Sequence, residues 1–133
     1  MSSFSLDITA FYAGLLTLLL LALTARVIVY RRTNKLSLGD TGDSILLQRM
    51  RAQANLTEYA PLGLILMALA ELQGAPAAAL HLMGAVLLAG RLMHAIGFSR
   101  RPQIMPLRVG GMVLTLSMLL VSALALIAHS IAQ

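Results

Sequence analysis

The chain has 133 residues, of which 59% are apolar and 11% are charged, and its mean hydropathy is +0.85. A soluble globular protein is about 45–50% apolar and about 25% charged, so this composition excludes an ordinary soluble domain. The absence of cysteine excludes disulfides, thiolate nucleophiles and cysteine-ligated metal sites, and we predict no metal site. No nucleic-acid-binding pattern accompanies the net charge of +5, so we expect no nucleic-acid partner.

Apolar segments divide the chain into four predicted helices with three short polar connections. A helix that spans a bilayer needs roughly 20 predominantly apolar residues, and four segments approach this length. The predicted helices cover residues 8–30, 44–72, 77–98 and 107–131, with Asp7 as the expected N-cap of the first. Because these helices use up the chain, we predict a single all-α domain over residues 1–133, an integral membrane four-helix bundle in contact with the lipid bilayer.

The basic residues predict the orientation of this bundle. All ten Lys and Arg residues flank the first or the third connection: Arg26, Arg31, Arg32, Lys35, Arg49, Arg51, Arg91, Arg100, Arg101 and Arg108. Basic residues are retained on the cytoplasmic side of a membrane. We therefore predict a multi-pass protein of the cell inner membrane, with connections one and three in the cytoplasm and both termini on the periplasmic side.

Polar side chains share one face of the second predicted helix, and we call this set the polar stripe. They follow helical spacing and are Gln48, Arg51, Asn55, Glu58 and Tyr59. Glu58 lies about 10 Å from Arg51 along the axis, which predicts no simple ion pair between them within the helix. Several polar residues on one membrane-embedded face are costly, so the pattern indicates a function.

The third and fourth helices add polar and aromatic residues in the same leaflet. Arg91, His94 and Phe98 lie at i, i+3 and i+7 on one face, and Arg108 begins the fourth helix. The following Gly110-Gly111 pair allows close backbone approach. We expect these residues and the polar stripe to meet at a cationic cavity, open to the cytoplasm, that suits a small anionic ligand carrying an amine.

Each of these residues also has a purely structural interpretation. Arg91 and Arg108 could extend to lipid headgroups, and a single histidine such as His94 is more often packed than catalytic. His81 and His129, near the opposite ends of their helices, are interpreted as structural or solvated.

The segment Arg51-Ala-Gln-Ala-Asn55-Leu-Thr-Glu58-Tyr59-Ala-Pro61 resembles the signature of the MAPEG family, the membrane-associated proteins of eicosanoid and glutathione metabolism. That signature reads Arg-Ala-x-x-Asn-x-x-Glu, often followed by an aromatic residue and then Pro. Arg31-Arg32 at the end of the first helix and the segment 91–98 closing the third are similar as well. The similarity covers nearly the whole chain and points to a bacterial microsomal glutathione transferase-like member.

This resemblance implies a homotrimer that binds glutathione, as cosubstrate, between neighbouring subunits. It assigns glutathione contacts to Arg31, Arg51, Asn55, Glu58, Tyr59, Arg91, His94 and Phe98. By the same resemblance Arg108 is the catalytic residue that stabilises the thiolate. His94 and Phe98 stand where eicosanoid-forming members commonly have tyrosines, which argues against a leukotriene-like substrate. The implied function is a membrane-bound glutathione transferase for detoxification, with peroxidase activity as an option, that conjugates glutathione to hydrophobic electrophiles at the cytoplasmic interface.

Two other functions are consistent with the sequence. A MAPEG relative can bind lipid or act as a scaffold without catalysis, since a fold alone does not establish an enzyme. A small multidrug transporter also has four short helices and a membrane carboxylate, which we expect to be isolated in the first helix. Here no acid lies between Asp7 and Arg26, and Glu58 is accompanied by Arg51 and Asn55, so the transporter is the less favoured alternative.

Overall fold

The computed structural model describes residues 3–133, which form four α-helices joined by short connections. The helices are α1 (Asp7–Asn34), α2 (Ser44–Leu72), α3 (Ala77–Ser99) and α4 (Met105–Ala132). At a rise of 1.5 Å per residue they are about 35–44 Å long, enough to cross a hydrocarbon layer of about 30 Å. The predicted all-α bundle is confirmed.

The ends of α1 differ from the prediction. The helix continues to Asn34, beyond the predicted end, because Arg31 and Arg32 in its last turn complement the negative end of the helix dipole. Lys35 then closes it in a left-handed conformation. Asp7 is the first helical residue and not the expected N-cap, and the residue before it holds the N-cap position without a side-chain hydrogen bond.

The starts of α2 and α4 follow ordinary capping chemistry. Asp43 caps α2, where its carboxylate accepts hydrogen bonds from the main-chain N–H groups of Ile45 and Leu46 at 2.9 and 3.0 Å. The fourth helix begins at Met105, slightly earlier than predicted, because Pro106 fits the first turn of a helix without costing a hydrogen bond.

Three of the four helices, α1, α3 and α4, are long and apolar enough to span a membrane. Within residues 3–133, α2 does not reach this level of apolarity, because its first half carries the polar stripe. It nevertheless contacts α1, α3 and α4, whereas α1 and α4 do not contact each other in this part of the chain. The middle of the bundle is therefore formed by α2 and α3. We call the end that carries the first and third connections the basic end, and the other the opposite end.

Glycines bring the backbones of α3 and α4 together near the basic end. A Cβ atom added to Gly111 would lie 2.5 Å from the carbonyl oxygen of Gly90 and 2.5 Å from the main-chain nitrogen of His94. One added to Gly97 would lie 2.6 Å from the main-chain nitrogen of Arg108. The predicted close approach is thus confirmed at Gly111, and it places the end of α3 directly beside the start of α4.

Several polar groups of the opposite end satisfy each other. The Glu71 carboxylate of α2 accepts hydrogen bonds from the main-chain N–H groups of Ile8 (3.0 Å) and Thr9 (2.8 Å) and from the Thr9 hydroxyl (2.6 Å). A residue of α2 therefore caps the start of α1. The buried Tyr12 hydroxyl lies 3.0 Å from His81 Nδ1, which makes His81 part of the α1–α3 contact.

Candidate functional site

Arg51 and Glu58 form an ion pair on an uncovered face of α2. The distance from Arg51 Nη1 to Glu58 Oε1 is 3.4 Å, and the two side chains are 51% and 47% exposed. The prediction that these residues would not pair within the helix is wrong, because the axial separation neglects how far an arginine side chain extends. The face that carries the pair is not buried against the rest of the chain.

Arg91 lies inside the bundle and is only 1% exposed. Its Nε donates to the Thr115 hydroxyl of α4 at 2.9 Å, and its Nη1 donates to both the side-chain and main-chain oxygens of Asn55 on α2. Its Nη2 lies 3.2 Å from the sulfur of Met112. An arginine stays charged in proteins, and among residues 3–133 no carboxylate pairs with this one. Neutral acceptors alone therefore stabilise this buried charge.

From inside the bundle, Arg91 also holds part of the polar stripe in position. Its guanidinium carbon lies 5.4 Å from the centre of the Tyr59 ring, within the range of a cation–π contact. Because the same guanidinium donates to Asn55, it holds two residues of the stripe in place. Two further members of the stripe, Arg51 and Glu58, are directed outward. Arg91 therefore orients the side chains of Asn55 and Tyr59 in this chain.

His94, Phe98 and Arg108 form a stack where α3 ends and α4 begins. The rings of His94 and Phe98 are 5.4 Å apart and inclined by 20°, and the Arg108 guanidinium lies 4.7 Å from the centre of the Phe98 ring. Arg108 Nη1 also donates to the side-chain oxygen of Gln103 at 2.6 Å. His94 is buried and Arg108 is partly buried. The stack presents a cation, without a carboxylate partner in the described residues, close to the basic end.

Arg31 lies apart from these groups and organises the first connection. Its Nη1 donates to the carbonyl oxygens of Gly39 (2.8 Å) and Leu36 (3.5 Å), and its Nη2 lies 3.3 Å from the sulfur of Met50. These contacts fold the connection back over the start of α2. In the single chain Arg31 therefore does not share a hydrogen bond with the polar stripe.

The predicted site residues accordingly form three groups and one outlier. The groups are the Arg51–Glu58 pair, the Arg91 cluster and the stack ending in Arg108, while Arg31 is the outlier. Sequence reasoning missed Thr115, Met112 and Gln103, which hold the two arginines in place. A signal for two of them existed, since Met112 and Thr115 follow Arg108 at i+4 and i+7 on one face of α4.

Comparisons with known proteins match most of this chain. The sequence pattern of the MAPEG family matches residues 9–128. Over 94 residues the chain is 40% identical to the inner membrane protein YecN of Escherichia coli K12, which covers 71% of this chain and 72% of YecN. The protein of the same name from Escherichia coli O6:H1 matches with the same identity and coverage. No solved structure matches. The matched residues reach into all four helices, and the chain belongs to the MAPEG family of membrane proteins.

Proposed function

We propose that this protein is a membrane-bound glutathione transferase whose site lies at the basic end, on the uncovered face of α2. The observation that carries the proposal is the half-exposed Arg51–Glu58 pair. Charged groups within a membrane segment are costly when they face lipid, so this face calls for a polar ligand or a neighbouring subunit. The relative's description as an inner membrane protein supports the same location for this chain.

Glutathione matches the charges on this face. It carries two carboxylates and one ammonium group, and the stripe offers a cation and an anion side by side at Arg51 and Glu58. Charge-assisted hydrogen bonds of this kind are about twice as strong as neutral ones. Asn55 and Tyr59, held by Arg91, add polar groups in fixed positions. In this proposal Arg91 is a positioning residue, and Arg51, Asn55, Glu58 and Tyr59 contact the tripeptide.

Arg108 supplies the electrostatics of the reaction. A nearby cation lowers the pKa of a thiol, and the thiolate is the nucleophilic form. The glutathione thiol gives its proton to water, and the sulfur then forms a bond to an electrophilic carbon while the leaving group departs with its bonding electrons. The Phe98 ring lies against this cation, and His94 stacks on Phe98. The electrophile is a hydrophobic molecule that reaches the interface from the lipid.

A homotrimer completes the site in this proposal. The Arg51–Glu58 face is uncovered in the single chain, and Arg31 does not reach it. A neighbouring subunit that packs against α2 would cover this face and bring its own Arg31 toward the carboxylates of glutathione. The proposal therefore requires the site to be lost when the oligomer dissociates.

The test is a titration of the detergent-purified protein with glutathione, in which calorimetry measures binding and ultraviolet absorbance measures the thiolate. We expect Arg108→Ala to bind glutathione without forming thiolate. Arg51→Ala should weaken binding by tenfold or more, since a hydrogen bond to a charged group contributes about 1.5–3 kcal/mol. Arg32→Ala removes an equal charge from an exposed position of α1 and serves as the matched control.

Conjugation of a chlorodinitrobenzene electrophile by the same variants then measures turnover. Binding without thiolate in the unmodified protein would favour a non-catalytic, lipid-binding member of the family. If the protein neither binds glutathione nor forms conjugates, the proposed function is wrong.

A further inference from the structure

A groove of about 340 Å³ opens between α1 and α3 at the basic end, and its lining does not include residues of α2. Its inner part is apolar and its rim, toward the end of α3, is polar. The apolar part is formed mainly by Leu19, Leu23 and Ile96, and the rim by Arg26, Ser99 and Arg100. None of these residues belongs to the glutathione site proposed above.

The rim is cationic and has no counterion in the described part of the chain. Arg26 is partly buried, and Arg49 Nη1 donates to its main-chain carbonyl oxygen at 3.0 Å, so a second arginine lies beside the first. Arg100 adds a third positive charge at the end of α3. Within residues 3–133 no carboxylate lies within ion-pair distance of any of the three. Like charges gathered without an acid indicate a binding site for an anion.

Two buried donors at this end also lack partners. Ser99 is one of the residues that line the groove, and its hydroxyl and the Nε of Arg49 are buried without a hydrogen-bond partner in the described residues. Buried polar groups are nearly always hydrogen-bonded, because leaving one unpaired costs free energy. An acceptor from outside the chain would satisfy the serine and neutralise the arginines together.

We propose that this groove binds an anionic phospholipid, with its phosphate at Arg26, Ser99 and Arg100 and one acyl chain along Leu19, Leu23 and Ile96. The charge of the rim is complementary to a phosphate, and the apolar inner part matches an acyl chain. A free phosphate ion would leave the apolar part of the groove unused. Basic pockets between membrane helices bind lipid headgroups through the same combination of forces.

The chain contains no tryptophan, so a single introduced tryptophan reports on its own surroundings. Leu92 lies one turn from Ile96 on the same face of α3, is 39% exposed and does not line the groove. In vesicles, we expect phosphatidylglycerol with brominated acyl chains to quench Leu92→Trp more strongly than brominated phosphatidylcholine. Val113→Trp, on an exposed face of α4 at a similar distance from the basic end, is the control and should show almost no preference.

Removing the cations should remove the preference. We expect Arg100→Gln in the Leu92→Trp background to lower the selectivity for the anionic lipid about fivefold, since a basic residue near the membrane surface contributes about this factor. Arg26→Gln should act in the same direction. Arg32→Gln removes the same charge from the same end outside the groove and should leave the selectivity unchanged. Because Arg100 is exposed, its variant is expected to fold, which circular dichroism can verify.

Three outcomes would overturn the proposal. Equal quenching of Leu92→Trp by the two lipids would mean that the groove has no preference for an anionic headgroup. An equal loss in Arg32→Gln would assign the preference to general surface charge. Loss of the preference in excess inorganic phosphate would mean that the rim binds the free ion. None of these results depends on glutathione, so the proposed transferase activity stands or fails separately.

Discussion

At the opposite end of the bundle, Glu71 accepts three hydrogen bonds from Ile8 and Thr9, and Tyr12 lies within hydrogen-bond distance of His81. At the basic end, the Arg51–Glu58 pair is half exposed, and several arginines have no carboxylate partner in the described residues. Both ends are polar, but the groups just named at the first end have partners within the chain, whereas the pair at the basic end stays half exposed. A polar residue in a membrane helix therefore indicates a ligand when it stays exposed or when the chain does not supply its partner.

Arg91 is the intermediate case. It is a charge at the basic end, yet it is buried and its donors contact Asn55, Thr115 and Met112 within the chain. By the criterion above it is a structural residue, even though it holds two residues of the proposed glutathione site. The prediction with the largest expected effect therefore tests whether Arg91 depends on its hydrogen-bond partners within the chain.

Asn55→Leu should destabilise the protein by about 3 kcal/mol, because it leaves a buried guanidinium without its main acceptor. Replacing a whole buried polar set by apolar groups is often neutral, so Asn55→Leu combined with Arg91→Met should recover most of this loss. Thr115 keeps a partner in the double variant, since its hydroxyl also donates to the Gly111 carbonyl at 2.9 Å. Unfolding in mixed detergent micelles, followed by circular dichroism, measures the change in free energy.

The single variant Arg91→Met completes a double-mutant cycle with the unmodified protein, Asn55→Leu and the double variant. If Asn55→Leu unfolds like the unmodified protein, or if the double variant is as unstable as Asn55→Leu, Arg91 is not dependent on Asn55. It would then have to be grouped with the unsatisfied cations of the basic end.

The sequence predicted the features that depend on neighbouring residues. Apolar length placed four helices, and the spacing of Arg51, Asn55, Glu58 and Tyr59 correctly placed them on one face of α2. Gly111 was correctly predicted to allow a close approach of helices. These features follow from helical periodicity and local composition, which a single sequence carries in full.

Contacts between residues far apart in sequence could not be predicted in this way. Glu71 caps a helix that begins more than sixty residues earlier, so the local pattern suggested Asp7 instead. The Arg51–Glu58 pair was missed because the distance was measured along the helix axis and not between side-chain atoms. The burial of Arg91 depends on which face of α3 meets α2 and α4, and periodicity alone does not determine this.

Glu71→Gln should lower the stability by about 1 kcal/mol and leave glutathione binding unchanged, because it weakens the cap of α1 at the end remote from the proposed site. The amide oxygen can accept from one N–H group, but the amide nitrogen cannot accept from the other. Asp7→Asn removes the same charge from the first turn of α1 and should cost only a few tenths of a kcal/mol. Thermal unfolding of both variants in one detergent measures the difference, and equal losses would show that charge alone, and not the three hydrogen bonds, matters at this end.

The smallest effect is expected at Asp43, which caps α2 at the basic end. Hydrogen bonds from the main-chain N–H of Leu46 (3.0 Å) and from the Tyr30 hydroxyl (2.8 Å) hold the pKa of the Asp43 carboxyl below its usual range. A carboxyl with a lowered pKa in the folded state contributes stability above its unfolded pKa and loses this contribution as the pH falls through the folded one. Asparagine caps a helix nearly as well as aspartate, so Asp43→Asn should be only slightly less stable than the unmodified protein at neutral pH.

The same difference in stability should disappear in acid, because Asp43 becomes protonated there and loses the negative charge that the Asp43→Asn variant lacks at every pH. Thermal unfolding of the two proteins across the acidic range measures this difference in stability. Asp40→Asn removes the same charge from the same connection at a position that caps no helix, and it serves as the control. A constant gap between the unmodified protein and Asp43→Asn at every pH would contradict the prediction. Asp43 would then stabilise α2 only through the hydrogen-bond geometry of its cap, and its negative charge would make no contribution to stability.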